Sequence, residues 1–172
     1  MKRLMTAVMA AALVAAPALM ASGTTLTPLE NKVRHEIVML PYLGVFDNIS
    51  FRVDNGTVTL FGEVTRPILK SDAGNVVKRI EGVSRVDNQI EVLPLSSMDD
   101  RIRLQTYRAI YRSGSLYRYA MGTNPSIRII VKNGNVKLEG IVSNEGDRNL
   151  AFIRANAVPG VFGVTNDLRV EK

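Results

Sequence analysis

A run of arginines and tyrosines in the second half of the chain is the strongest candidate for chemistry. No acidic residue lies between Asp100 and Glu139. Guanidinium groups bind phosphate oxygens, and tyrosine rings suit the headgroup layer of a bilayer. The pattern is typical of a surface that touches anionic lipid, where each basic residue contributes about 1 kcal/mol. The arginines and tyrosines at the start of this segment, in its first predicted helix and the loop that follows, are Arg101, Arg103, Arg108, Arg112, Arg118, Tyr107, Tyr111, Tyr117 and Tyr119.

A helix is expected to position most of these side chains. At 100° per residue, Ile102, Thr106, Ala109 and Ile110 share one side, which we expect to be buried. A second stripe holds the arginines, and a third, roughly opposite the core, holds apolar and aromatic residues. We therefore predict that phosphates are held by Arg101, Arg108, Arg112 and Arg118, and that the headgroup layer is entered by Leu104, Tyr107, Tyr111, Tyr117 and Tyr119. The alternative is that Leu104, Tyr107 and Tyr111 pack against the other half of the chain or another protomer.

Catalytic and metal-binding patterns are scarce. The chain has no Cys and one His, which excludes disulfide scaffolds, thiol catalysis and Cys/His zinc sites. His35 falls on the side of its predicted helix away from the apolar face, so a surface histidine is favoured over a general base. Asp99 and Asp100 fit the dipole of a helix start better than a metal pair. Gly160–Gly163 spells a GXXG motif, interpreted as a helix stop and not as an RNA-binding loop. We expect no enzyme activity, and no binding of a cofactor, a metal ion or a nucleic acid.

The first 23 residues have the features of an export signal. Lys2 and Arg3 precede an uncharged, Ala-rich stretch, and Ala21-Ser22-Gly23 supplies the small residues of a cleavage site. The alternative is an uncleaved membrane anchor. We expect a cleaved signal over residues 1–23 and an exported protein, most plausibly in a bacterial periplasm.

The remaining chain is a tandem duplication. Its two halves match without a gap at an offset of 78 from the first strand onward, including Asn55-Gly56 with Asn133-Gly134 and Gly82-Val83 with Gly160-Val161. Charge is not shared equally, because residues 24–97 hold 8 basic and 9 acidic side chains whereas residues 98–172 hold 12 and 7. All of the excess positive charge therefore belongs to the second half.

Each half reads as α-β-β-α-β. Alternating apolar residues flank Asn-Gly, which predicts a hairpin with structural turns at Asn55, Gly56, Asn133 and Gly134. Gly62 and Gly140 fall at inward strand positions, where a bulge or an approaching helix would need no side chain. Gly82 and Gly160 are expected to end the second helices, and a capping box is expected at Ser97 and Asp100. The fold class is α+β, with two units that each pack two helices on one face of a three-stranded mixed sheet.

These residues resemble the BON (bacterial OsmY and nodulation) domain family. The resemblance rests on I-x-V-x-x-G-x-V-x-L-x-G-x-V, then a helix, then G-V-x-x-V-x-N-x-L-x-V, held in both halves. It implies an exported, non-enzymatic envelope protein that attaches to phospholipid. We assign unit one to residues 24–95 and unit two to residues 96–172.

A second functional interpretation is a protein-interaction module of the envelope. Phe61, Ile130 and Ile141 have outward parity on their strands, which would leave apolar groups on the uncovered sheet faces. A hydrolase would rest only on His35 and scattered carboxylates.

Overall fold

The computed structural model describes residues 26–112, 114–121 and 124–171. The predicted signal segment lies outside these ranges. Unit one contains, in order, α1 (Pro28–Val38), β1 (Asn48–Asp54), β2 (Thr57–Val64), α2 (Pro67–Lys78), β3 (Arg85–Asn88) and β4 (Glu91–Val92). Unit two contains α3 (Ser97–Tyr111), a 3₁₀ helix (Tyr117–Ala120), β5 (Ile127–Lys132), β6 (Asn135–Val142), α4 (Glu145–Asn156) and β7 (Gly163–Val170). The predicted α+β fold with two tandem units is confirmed.

Each unit has its own mixed sheet. β1 pairs antiparallel with β2, and β3 and β4 both pair parallel with β2. In unit two β5 pairs antiparallel with β6, and β7 pairs parallel with β6. The third strand of unit one is therefore interrupted at Gln89 and Ile90, whereas the third strand of unit two is continuous. The parallel pairing follows from the helix that returns the chain before the third strand.

The two Asn-Gly turns have the backbone that the sequence requires. Asn55 and Gly56 have φ of 47° and 78°, and Asn133 and Gly134 have φ of 52° and 76°. Two successive positive φ angles define the type I′ turn, whose twist matches that of the flanking strands. These four residues thus have the backbone conformation of a tight hairpin turn.

Contrary to the prediction from sequence, Gly82 and Gly160 do not end the second helices. α2 ends at Lys78 and α4 ends at Asn156, each with a right-handed cap residue. Gly82 and Gly160 come later, with φ of 94° and 88°, in turns closed by Val83 N–H to Ile80 O and Val161 N–H to Val158 O. These glycines occupy the third position of a turn that needs positive φ there, so they redirect the chain toward the third strand.

The caps of the first helices are local side-chain hydrogen bonds. In α1, Thr27 Oγ1 accepts from Glu30 N–H and the Glu30 carboxylate accepts from Thr27 N–H, which forms a capping box. These bonds hold the pKa of Glu30 below its usual value. In α3 the cap is Ser96, whose Oγ accepts from Asp99 N–H at 3.1 Å. The capping box predicted at Ser97 and Asp100 was wrong by one residue.

The two cores repeat the same pattern. α1 buries Val33 and Ile37, α2 buries Leu69, Ala73 and Val77, and these pack on Val58, Leu60 and Val64 of β2. In unit two Ile102, Ile110, Ala151 and Ala155 pack on apolar residues of β5, β6 and β7. Asn88 Nδ2 donates to Lys70 O at 2.7 Å, and Asn166 Nδ2 donates to Arg148 O at 3.0 Å. These two hydrogen bonds tie the third strand of each unit to the second helix of that unit. Within the described ranges, the helices are too short or too polar to cross a membrane.

Candidate functional site

The outer face of α3 carries exposed arginines around an exposed leucine. The opposite side is buried as predicted, with Ile102 and Ile110 at 1% and 0% exposure. Positions three, four and seven apart share a helix face, so Arg101, Leu104 and Arg108 lie together, and Arg112 caps the helix beside them. Leu104 is 49% exposed, and all three arginines are exposed.

The charges of these three arginines are not neutralised by neighbouring carboxylates. Among the described residues, Arg101, Arg108 and Arg112 form no ion pair. Asp100, the nearest acid along the helix, instead pairs with Arg103, whose side chain is buried and also donates to Val131 O at 2.7 Å. The outer face of α3 is therefore a cationic surface with one apolar side chain at its centre.

Tyr111 does not belong to this surface. It is 3% exposed, and its hydroxyl donates to Ile127 O at 2.6 Å. Burial raises the pKa of Tyr111 despite the opposing charge of Arg128. Helical periodicity places Tyr111 away from the core of its own helix, but Leu116 and the following 3₁₀ helix fold over that end of α3 and enclose it in the core. The prediction that Tyr111 enters a headgroup layer was wrong.

Tyr119 and Arg118 are held in a polar cluster with Asp147. Tyr119 is 8% exposed, and its hydroxyl donates to Asp147 Oδ2 at 2.6 Å and accepts from Ser143 N–H at 2.8 Å. Arg118 pairs with the same carboxylate and lies over the Tyr119 ring at 4.9 Å. Hydrogen bonds to Tyr119 and Asp147 raise the pKa of Arg118. Tyr119 is thus a buried structural residue, and the Arg118 charge is already matched, which corrects both assignments.

Tyr107 and Tyr117 have separate environments. The Tyr107 ring meets the Phe46 ring of unit one edge-on, with centroids 6.2 Å apart, and keeps 37% exposure. The alternative of packing against unit one therefore holds for Tyr107. Tyr117, at the start of the 3₁₀ helix, is 60% exposed. Of the predicted aromatic residues, Tyr117 is the most accessible.

Contacts between the units use one edge of β5 and the outward face of the second sheet. Ile129 N–H donates to Val45 O at 2.8 Å, and the Arg128 guanidinium donates to Gly44 O at 2.7 Å. Lys137 pairs with Glu63 at 2.5 Å, Lys132 pairs with Glu91 at 2.6 Å, and Asn48 donates to Glu139. Hydrogen bonds from Lys137 to Glu139 and Glu63 outweigh the opposing effect of burial and raise the pKa of Lys137.

This contact changes the interpretation of the sheet faces. Ile130 lies between two residues that bond to unit one and is 3% exposed, so it leaves no apolar group on an open face. Phe61 and Ile141 keep 39% and 45% exposure and line a groove between the units. The prediction was wrong for Ile130, because parity along a strand does not show what covers the outward face.

Buried carboxylates are the residues that sequence reasoning missed. Asp99 is 2% exposed and accepts from Asn133 N–H at 2.9 Å and Gly134 N–H at 2.8 Å. It pins the turn of the second hairpin in addition to favouring the helix start. Asp147 aligns with Leu69, a core position of unit one, so comparing the repeats could have marked it as buried.

His35 is exposed on α1 in a shallow groove against α2. No group of three His, Asp or Glu side chains within the described ranges is placed to hold a metal ion.

Replacing Asp99 by alanine is expected to lower the free energy of unfolding by about 1–2 kcal/mol, because two turn amides lose their acceptor and one of them is buried. Chemical denaturation measures the change. Ser97→Ala, at an exposed position two residues earlier, is the control and should change stability by less than about 0.5 kcal/mol. Equal losses for the two variants would contradict the pinning role.

No curated protein matches the chain. Among solved structures, the chain is similar to the C-terminal domain of CdsD, a structural protein of the type III secretion system of Chlamydia trachomatis. The identity is 14% and the TM-score 0.30, over 87% of this chain and 100% of that one. A second CdsD structure gives the same identity and TM-score over 84% and 93%.

The BON domain family model matches residues 25–94 and again residues 99–172. BON domains are generally envelope-associated modules that bind membranes or proteins, and the family is generally non-enzymatic. Two matches that together span nearly all of the described fold also account for the duplicated α-β-β-α-β units. The chain therefore belongs to the BON domain family, as a tandem pair.

Proposed function

We propose that this chain is an exported, non-enzymatic envelope protein that attaches peripherally to anionic phospholipid through the outer face of α3. The observation that carries the proposal is the exposed set Arg101, Arg108 and Arg112, which surrounds Leu104 and has no carboxylate partner among the described residues. Tyr117, which follows the helix in sequence and is 60% exposed, is the aromatic residue that we assign to the same lipid contact.

The chemistry of this face suits a bilayer interface better than a discrete ligand site. Three separated guanidinium groups on one helix face each meet a different headgroup phosphate, and no enclosed pocket is required. Leu104 and Tyr117 add apolar and amphipathic area at the depth where such side chains partition. Arg118, Tyr111 and Tyr119 are omitted from the proposed site because their groups are engaged inside unit two.

The double variant Arg108→Glu with Arg112→Glu is expected to weaken binding to vesicles that contain 30 mol% phosphatidylglycerol by at least about 30-fold at low salt. Two favourable charges worth about 1 kcal/mol each are lost, and two repulsive ones replace them. Vesicle cosedimentation across a lipid titration measures the effect. Binding of the unaltered chain should fall as salt rises and should be weak on pure phosphatidylcholine.

The matched control is Lys78→Glu with Arg79→Glu in unit one. Lys78 lies in the last turn of α2 and Arg79 caps it, as Arg108 and Arg112 do in α3. The control changes the net charge of the chain, and the charge at the end of a helix, by the same amount as the α3 double variant does. Its vesicle binding should stay within about threefold of the unaltered chain under the same conditions. Equal weakening by both double variants would show that net charge and not the α3 face governs binding, and would reject the site.

A further inference from the structure

A groove between a first helix and the edge of a first strand occurs in both units, and in unit two it is filled. The Gly44–Phe46 segment of unit one lies there as part of a turn closed by Asp47 N–H to Gly44 O: Val45 O accepts from Ile129 N–H on the edge of β5, and Phe46 packs on Tyr107 of α3. Val45 and Phe46 both pack against the core of unit two. The second unit thus binds a stretch of chain along its strand edge.

Among the described residues, no segment fills the equivalent groove of unit one in this way. It has a volume of about 700 Å³, within the range of ligand-binding pockets, and runs between α1, β1 and the ends of β6 and β7. Its lining includes Arg34 and Val38, which align with Tyr107 and Tyr111 of α3, and Phe51, which aligns with Ile129. The residues that contact or flank the bound segment in unit two therefore have their counterparts in this groove.

The strand edge in this groove has backbone groups turned outward. In unit two the outward groups of β5 are satisfied by Tyr111, which donates to Ile127 O, and by Val45, which accepts from Ile129 N–H. The matching outward groups in unit one are Ile49 C=O and Phe51 N–H, and Val38 in place of Tyr111 has no hydroxyl to donate. No described residue pairs with these two groups, so this strand edge beside apolar side chains offers the same hydrogen-bonding positions that β5 offers to Val45.

We propose that the groove between α1 and β1 binds a turn of a partner polypeptide that offers one backbone carbonyl to the strand edge and one aromatic side chain to α1. That turn would accept a hydrogen bond from Phe51 N–H, as Val45 does from Ile129. Its apolar side chains would cover Val38, Phe61 and Ile141, which are 41%, 39% and 45% exposed. An aromatic residue in the place of Phe46 would stack on the Arg34 guanidinium, which stands where Tyr107 stands in unit two.

The chain itself supplies the probe. A capped peptide with the sequence of residues 40–48, Leu-Pro-Tyr-Leu-Gly-Val-Phe-Asp-Asn, contains the segment that fills the groove of unit two. Added to the full chain without its first 23 residues, it is expected to shift the amide resonances of Ile49 and Phe51. At saturation it should slow hydrogen exchange of the Phe51 amide at least tenfold. A peptide with serine in place of the Val and Phe should produce neither effect.

Variants of the groove complete the test. Val38→Glu should weaken peptide binding at least tenfold, whereas Ile68→Glu, an equally exposed apolar position on α2 outside the groove, should leave it unchanged. Folding of both variants is checked by their amide spectra. If the peptide neither shifts the amide resonance of Phe51 nor slows its hydrogen exchange in the unaltered chain, the proposal is overturned. Concentration-dependent self-association that Val38→Glu abolishes also overturns it, because the occupant would then be a second copy.

Discussion

Replacing Gly140 by alanine is expected to lower the free energy of unfolding by about 3 kcal/mol or more. A Cβ built at Gly140 would lie 1.9 Å from Ser126 O, and Gly140 has φ of 124°, which side chains with a Cβ rarely adopt. The strand must either separate from β5 or distort, and either change costs several kcal/mol. Thermal and chemical denaturation of the full chain measure the loss.

Gly114→Ala is the control for this substitution. A Cβ at Gly114 meets nothing within 4 Å, so the variant should change stability by less than about 1 kcal/mol. Gly62→Ala in unit one should repeat the loss, because its Cβ would lie 2.2 Å from Asn48 O. A loss at Gly140 no larger than at Gly114 would contradict the close approach of the two strands. The approaching group is the neighbouring strand's own backbone, and not the bulge or helix expected from sequence.

Replacing Asp147 by asparagine is expected to lower the free energy of unfolding by about 2–3 kcal/mol at neutral pH. Asp147 is 6% exposed, and its carboxylate accepts from Tyr119 Oη, Arg118 and Asn144 Nδ2. An amide cannot accept from all of these donors as a carboxylate does, and hydrogen bonds to a charged group are the stronger kind.

The effect of Asp147→Asn should depend on pH. Burial opposes ionisation of Asp147, but the hydrogen bonds from Tyr119 and Arg118 outweigh it and hold the pKa of the carboxyl below its usual value. A group whose pKa falls on folding stabilises the native state above its unfolded pKa and loses that contribution as pH drops through the folded pKa. The difference in free energy of unfolding between the unaltered chain and the variant should therefore have its largest value at pH 7 and decrease below about pH 4.

Denaturation curves at pH 7, 5, 4 and 3 measure this dependence. Asp167→Asn, an exposed acid on β7, serves as the control and should show a small difference at every pH. A stability difference for Asp147→Asn that stays constant down to pH 3 would mean that the charge of Asp147 is not what stabilises the cluster.

Much of the fold could be predicted because its signals are local and appear twice. The Asn-Gly turns, the apolar alternation around them and the i, i+4, i+7 spacing of helix faces are short-range features, and the duplication confirms each one independently. The candidate site was less predictable. Arg101, Arg108 and Arg112 are exposed, since the solvent side of a helix follows from its core side, but whether they bind lipid stays a prediction.

Three tyrosines and one isoleucine have burial or contacts that differ from what helical and strand periodicity predicted. Tyr111 and Tyr119 were expected outside and lie in the core, Tyr107 meets Phe46 from the other unit, and Ile130 is covered where the units meet. Helical and strand periodicity report only the faces of a single element. They carry no information about a later segment that folds over the end of a helix, or about a second domain that covers a sheet.

The sequence by itself determined that the chain is duplicated, that each unit is built as α-β-β-α-β, and that excess positive charge belongs to unit two. Only the tertiary structure decided which of those charges remain available: Arg101, Arg108 and Arg112 stay exposed, whereas Arg118 is matched by Asp147. Only the tertiary structure also showed that the Gly44–Phe46 segment covers one strand edge, and that no described residue covers the counterpart of that edge in the same way. The reason is physical, since availability depends on contacts between residues far apart in sequence, and local spacing does not record them.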